Sequence, residues 1–354
     1  MSVVSNISVE KVKSSRIADV DPNNLVYGRY YSDHMFVADF KEGKWQEASI
    51  QPFGKMELSP SISALHYGQS IFEGLKAFKN ENNEVRLFRH LDNYKRMNIS
   101  AERMGMPEIP EYFFSEALIE VLKMDRDWIP SQPGCSLYIR PVMFATDEKI
   151  GVHISDSYRF VIFTTPVGVY FPKPLKTLVE TKYARAVNGG VGYAKAAGNY
   201  GASMHPSRVA HQKGYDQIIW TDAQEHKYFE EAGTMNIMVV IDNVLITPPI
   251  SNTTLAGVTR DSILTLAKDN NVKVEERRIG IDEVITALNN NKLQEIIGVG
   301  TAATVTNIAQ IGYNDIDYSL PPITEELLSS KLKKQLEAIR LGKTEDKHNW
   351  TTTI

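Results

Sequence analysis

Lys195 stands in a run of small residues, NGGVGYAKAAGNYGAS over 188–203, with Tyr200 five positions after it. Glycine and alanine let a backbone come close to a flat ligand, which bulkier residues would prevent. A lysine that loses hydration in such surroundings more readily offers a neutral, nucleophilic amine. Condensation with a carbonyl compound to a Schiff base requires that form. A glycine-rich surface loop with a solvated lysine has the same composition, so the reading turns on what else the chain supplies.

Two kinds of segment supply a context. EEAGTMN, residues 230–236, leads an acidic pair into a strand-like run. A carboxylate beside a pyridine nitrogen keeps that nitrogen protonated, and the protonated ring is an electron sink. In LAGVTRD, residues 255–261, Gly257 comes just before a predicted helix, so Val258 and Thr259 offer backbone N–H groups to an anion. GVGTAA, residues 298–303, follows an apolar strand and is a second candidate anion nest. Gly298, Gly300 and Ala303 also fit the G-x-G-x-x-A spacing of a dinucleotide site. That rival is weak, because Thr301, Thr304, Val305, Thr306 and Ile308 make a poor helix start.

The sequence has no G-x-x-x-x-G-K-[ST], H-E-x-x-H, G-x-S-x-G or C-x-x-C. The 8 histidines are dispersed without metal-ligand spacing, and His66, His90 and His205 read as structural or surface residues. No metal site is expected.

These groups must be mounted on regular elements. A strand end at 85–88 precedes a helical pattern through Leu91, Tyr94, Met97, Ala101 and Met104. A second helix is predicted over 112–128, with Phe114, Ala117, Leu118, Val121 and Leu122 on one face. Strands are predicted at 136–144 and 158–165, rich in aromatic and β-branched residues. Proline and glycine then cluster at 165–168 and 171–174. Beyond them come strands near 178–183, 217–220, 236–241, 244–247 and 295–299, and helices at 260–269 and 282–289. A last helix starts from the N-cap candidate Thr324, runs to Leu341 and stops at Gly342.

The expected fold class is α+β or mixed α/β, without the regular alternation of a doubly wound sheet. A chain of 354 residues exceeds what one core usually serves. The expected division is a smaller N-terminal α/β domain over 1–166, an interdomain linker over 167–177, and a larger C-terminal domain over 178–354 carrying Lys195.

Composition sets bounds on partners. Hydrophobic residues are 42% and charged residues 23%, ordinary for a soluble globular protein. The net charge of -4 is scattered, against a nucleic-acid footprint. The single cysteine, Cys135, excludes an internal disulfide framework and a cysteine-built zinc site. The N-terminus has no signal-peptide core, and Glu10, Asp19 and Asp21 count against a transit peptide. No stretch reaches the ~18–20 apolar residues of a membrane span. A cytoplasmic protein without nucleic-acid or membrane partners is expected.

Taken in order, YGQSIFEGLKAF (67–78), VRLFR (85–89) with NYKRM (93–97), SLYIRP (136–141), GGVG (189–192) with Lys195, EAGTMN (231–236) and GTA (300–302) carry a likeness. The chain resembles the branched-chain aminotransferases, members of the fold-type IV pyridoxal-phosphate enzymes, over nearly its whole length. The resemblance implies a two-domain fold like that of D-amino-acid aminotransferase, a homodimer, and pyridoxal 5'-phosphate as cofactor. It makes Lys195 the Schiff-base lysine and proton carrier. Tyr200 would bond the cofactor's phenolic oxygen, Glu231 its ring nitrogen, and Arg96, Val258, Thr259 and Thr301 its phosphate. Tyr31, Phe72, Tyr138 and Tyr170 would wall the branched side chain. Tyr67, Arg140 and the backbone of Thr301 and Ala302 would hold the α-carboxylate.

The implied reaction moves the amino group of L-leucine, L-isoleucine or L-valine to 2-oxoglutarate. D-amino-acid aminotransferase, aminodeoxychorismate lyase and an inactive binding protein of the same fold are the alternatives. The longer N-terminal region with YSDHM (31–35) and the 136–141 segment favour the branched-chain class. Two departures stand out. The family's arginine-proline is Arg89–His90, and the C-x-x-C of some animal members is ATVT at 303–306, which removes thiol regulation there.

Overall fold

Strand pairing dominates the architecture. The computed structural model describes residues 7–354; residues 1–6, part of the N-terminal stretch read above, lie outside the described residues. Two compact units emerge: Met1–Tyr170 with Ala194–Gly198 and Ile339–Ile354, and Phe171–Tyr193 with Asn199–Ala338. The fold is mixed α/β, with one ten-stranded sheet in each unit.

In the first unit the antiparallel pair Ser136–Ala145 and Tyr158–Val167 forms the middle of the sheet. His34–Lys41 flanks it on one side and Leu75–Lys79 on the other. Alternation along these strands turns Leu137, Ile139, Phe160 and Ile162 into a core with Phe36, Met97, Phe114, Leu118 and Val121. The last four of these come from the helices His90–Arg103, Glu111–Phe114 and Glu116–Met124.

The continuous helix predicted over 112–128 is therefore corrected. It breaks at Ser115 and ends at Met124, followed by a 3-10 turn at Arg126–Trp128. Asp125 leaves the helix because its carboxylate accepts the His34 N–H at 2.9 Å and meets His34 Nδ1 at 2.6 Å. Burying that carboxylate without these partners would cost far more than the helical turn it gives up.

The expected C-terminal domain over 178–354 is also revised. Ala194–Gly198 and the C-terminal residues cluster with the first unit. Ile71 bridges Ala196, the Phe72 N–H donates to Lys195 O at 3.1 Å, and Ala194 and Ala196 join the first unit's core. Thr351–Thr353 pairs with Val85–Phe88 as an edge strand. Strand pairing between segments far apart in sequence decides this, and local composition carries no trace of it.

The second unit's sheet is mixed. Leu175–Glu180 pairs in parallel with both Gln217–Thr221 and Thr304–Tyr313, while Met235–Ile241 and Leu293–Gly300 pair antiparallel. Ile219, Ile237, Val239, Ile296 and Ile308 fill its core. The strand Leu293–Gly300 turns straight back into Thr304–Tyr313, with Gly300 opposite Thr304. A dinucleotide site needs a helix after its glycines, so the hairpin rules out that rival. The last helix spans Leu328–Arg340, later than the Thr324 cap predicts. The buried Glu295 carboxylate accepts the Ser329 N–H at 3.1 Å and does the capping instead.

Candidate active site

Helix His90–Arg103 begins after the strand Val85–Phe88 and places Asn93, Arg96, Met97 and Ser100 on one buried face. That spacing of three and four residues is the inward stripe of a helix. Ser100 Oγ donates to Arg96 O at 3.0 Å and accepts the Lys195 N–H at 2.9 Å. With the Phe72 N–H on Lys195 O, the backbone of Lys195 is fixed from both sides. Its half-buried side chain carries Nζ over the Phe72 ring, 5.0 Å from the centroid, a cation–π contact.

Arg96 does not present its whole fork to a ligand, as the phosphate-clamp expectation implies. Its Nε and Nη2 donate to Glu73 Oε1 and Oε2 at 2.7 and 2.8 Å. An anion would meet the guanidinium through its other edge. Glu73 is fully buried, and sequence reading assigned it no role although it lies within the 67–78 motif. Burial opposes its charge, but Arg96, Lys195 and Asn93 hold its carboxyl below the usual range.

Arg140 sits in an aromatic cage. Its Cζ lies 4.5 Å from the Phe72 ring centroid, and its Nη2 donates to Tyr27 Oη at 3.0 Å and Tyr138 Oη at 3.1 Å. Tyr27 packs edge-on to both Tyr138 and Tyr170, at 4.9 and 5.3 Å between centroids. Burial works against charge on Arg140, but the flanking phenols raise its proton affinity above the ordinary value. Burial, then Tyr138, pushes the Tyr27 phenol up in turn. A Cβ on Gly74 would collide with the Tyr138 hydroxyl, so only glycine leaves room for that phenol.

The structure thus brings Phe72, Tyr138, Tyr170, Arg140 and Lys195 into one connected set. It gives the other two expected wall and anchor residues different company. Tyr31 stacks on Phe53 at 4.8 Å and meets Phe163 edge-on, so Tyr27, four residues earlier, holds the place in the Arg140 cage. Tyr67 accepts the Gly151 N–H at 2.6 Å, tying it to the loop between the two central strands.

In the second unit, Glu231 lies on the strand Tyr228–Ala232 and is buried. The Leu255 N–H donates to its Oε1 at 2.8 Å, and Arg185 Nε lies 3.1 Å from its Oε2. That last contact is Coulombic rather than an aligned hydrogen bond. Arg185 also donates to the carbonyls of Gly192 and Thr253, so one side chain ties the glycine-rich segment to the 251–255 turn. The neighbouring Glu230 differs: burial raises its carboxyl despite the Thr253 hydroxyl bond. Of the acidic pair, Glu231 is the one within ion-pair distance of Arg185.

Val258 and Thr259 open the helix Val258–Asp269, and Gly257 is its N-cap. First-turn N–H groups find their acceptors outside a helix, so an anion is favoured there. A Cβ on Gly257 would strike Asn236 Oδ1, whose amide braces Leu255 O at 2.9 Å. Thr301 and Ala302 lie in the turn between Leu293–Gly300 and Thr304–Tyr313. Tyr200 lies on the short helix Ala197–Gly201, its carbonyl accepting Ser203 N–H and Oγ–H. Among the described residues no group of three or more His, Cys, Asp or Glu could hold a metal.

The first unit thus mounts a lysine, and the second carries a buried carboxylate with its own cation and a glycine-capped helix N-terminus. The family model for amino-transferase class IV matches residues 70–311. The chain is 44% identical over 339 residues to branched-chain-amino-acid transaminase 1 of Bacillus subtilis (strain 168), covering 94% of this chain and 95% of the relative. It is 41% identical over 351 residues to a probable branched-chain-amino-acid aminotransferase of Staphylococcus aureus (strain N315), covering 97% and 98%. Among solved structures, the branched-chain aminotransferase of Thermoproteus uzoniensis with norvaline superposes with a TM-score of 0.75 at 25% identity, covering 90% of this chain and 99% of that one. The branched-chain amino acid aminotransferase of Escherichia coli gives a TM-score of 0.73 at 25% identity, over 90% and 98%. The chain belongs to the class IV aminotransferases and, within them, to the branched-chain-amino-acid aminotransferase family.

Proposed function

We propose that this aminotransferase moves the amino group of L-leucine, L-isoleucine or L-valine to 2-oxoglutarate, with pyridoxal 5'-phosphate on Lys195. The observation that carries the reading is the double backbone tether of Lys195, at Phe72 and Ser100, which aims one amine along the Phe72 ring. The residues fit the cofactor: Gly257 opens a helix whose first turn suits an anion, and Glu231 is a buried carboxylate with a counter-ion.

When bound, pyridoxal phosphate supplies a carbonyl carbon for the amino group and an electron sink for the substrate's α-carbon. Lys195 Nζ would take the proton from the substrate's α-carbon and hand it to the cofactor carbon that keeps the amino group, a 1,3 shift. Glu231, steadied by Arg185 and the Leu255 N–H, would face the ring nitrogen and keep it protonated. Tyr200 steadies the phenolic oxygen. Arg96, the N–H groups of Val258 and Thr259, and Thr301 would hold the phosphate. Phe72, Tyr138, Tyr170 and the added Tyr27 exclude water around an apolar side chain, with Tyr31 behind them. Arg140, Tyr67 and the 301–302 turn hold carboxylate.

Amino transfer to 2-oxoglutarate should be measured from L-leucine and from D-alanine. Turnover with L-leucine and parallel ping-pong lines are expected; turnover only with D-alanine would replace this reading by the D-amino-acid one.

A homodimer is part of the proposal. The loop after Ser136–Ala145 exposes Ile150, Val152 and Ile154, Val152 by 90%. Neighbouring apolar residues left so open favour burial against a second copy. Light scattering should give twice the chain mass, and a single-chain mass at micromolar concentration would overturn it. A cytoplasmic site of action is also proposed, supported by the single cysteine, Cys135, which stays a free thiol. Among the described residues no helix is long and apolar enough to cross a membrane.

A further inference from the structure

We propose that a cavity beside Lys79, lined in part by the N-terminal segment 17–25, binds an aliphatic α-amino acid as its zwitterion, with the carboxylate on Lys79 and the ammonium group on Asp127. All of its lining residues belong to the first unit, and Lys195 is not among them. The inference stands apart from the reading of Lys195.

The cavity has a volume of about 300 Å³, at the small end of ligand pockets. Its apolar walls are Ile17, Val20 and Leu25 from the N-terminal segment, Trp128 and Ile129 at the 3-10 turn, and Pro166 on the strand Tyr158–Val167. Two of these walls are tied in place. The Trp128 Nε1–H donates to Asp33 Oδ2 at 2.8 Å, and Leu25 O accepts the Gly168 N–H at 2.9 Å. Walls fixed in advance lower the ordering cost of taking up an aliphatic chain.

Two charged side chains line this apolar space, one of each sign: Lys79, which ends the strand Leu75–Lys79, and Asp127 in the 3-10 turn. Lys79 Nζ donates to Arg126 O at 3.4 Å, its one hydrogen bond among the described residues. An ammonium group has three N–H donors, so that single long bond leaves two for a ligand. The group is half-buried, and burial holds its proton affinity below the ordinary lysine value. A bound carboxylate would offset that burial. Asp127 is exposed, and among the described residues its carboxylate accepts no hydrogen bond and forms no ion pair. Cation and anion therefore line one cavity without closing on each other. A ligand with only a carboxylate would suit Lys79 and put a like charge beside Asp127, and a plain amine would do the reverse. A zwitterion complements both, and the apolar walls select an aliphatic side chain.

The test is methyl NMR of the cofactor-loaded full chain, following Ile17, Val20 and Leu25 while α-methyl-L-leucine is added. That probe has no α-proton, so amino transfer cannot consume it. Saturable shifts of these methyls are expected. Lys79→Met keeps the side-chain length and removes the charge, and should weaken the titration by about 10-fold. Asp127→Asn should weaken it by about two- to five-fold. Methyls that do not move overturn the proposal. So do methyls that titrate alike in wild type and both variants, because the probe then acts on them from another site. 4-Methylpentanoate, a like chain without the amine, should bind more weakly than the amino acid, and equal or tighter binding overturns the zwitterion. Should circular dichroism show Lys79→Met unfolded, Asp127→Asn, at an exposed position, decides alone.

Discussion

Lys195→Ala is expected to lower kcat/KM for L-leucine by at least about 10³-fold. The side chain has two assigned roles, anchoring the cofactor and carrying a proton, and proton transfer alone is worth roughly 10² to 10⁴. A loss of that size corresponds to about 4 kcal/mol of transition-state stabilisation. Stability should change little, because the segment is held by backbone bonds to Phe72 and Ser100 that alanine keeps. The variant should also form no adduct that borohydride fixes and mass spectrometry finds on the 188–203 peptide. A reducible adduct persisting in the variant would mean another lysine is used, and Lys76, buried on the strand Leu75–Lys79, would be the next to test.

Arg185→Leu is expected to be the most destabilising single change at the site. It removes the cation beside the buried Glu231 carboxylate, and it cuts the bonds to Gly192 and Thr253. Stripping the partner from a buried charge costs about 3–5 kcal/mol. The double variant Arg185→Leu with Glu231→Leu should recover a good part of that loss, since no unpaired charge remains. Calorimetry on the four proteins of the cycle measures the coupling. If the double variant is less stable than wild type by the sum of the two single losses, the pair is not coupled, and Arg185 serves only its two carbonyls.

Much of the architecture was legible in the chain. The helical stripe through Tyr94, Met97 and Ala101 became His90–Arg103, and the aromatic and β-branched runs became Ser136–Ala145 and Tyr158–Val167. Those patterns are local, and periodic burial writes them directly into the residue order. Lys195 among glycines and alanines, Glu231 before a strand, and Gly257 before a helix were legible for the same reason.

What stayed hidden depends on residues brought together from far apart. Asp125 ends its helix because of His34, and the Leu328–Arg340 helix is capped from Glu295; neither partner is near in sequence. Tyr27 replaced Tyr31 beside Arg140, because two phenols four positions apart look alike until the chain turn between them is known. Glu73 was read as part of a motif and Arg185 not at all, since a counter-ion is recognisable only once its partner is buried beside it. Residue order alone was enough to single out side chains of a type suited to carrying an amino group, because reactivity is a property of residue type and near neighbours. Folding had to settle which strand holds the lysine, which edge of Arg96 grips Glu73 and which acid of the 230–231 pair pairs with Arg185. Those choices follow from long-range pairing and from the cost of burying a charge alone.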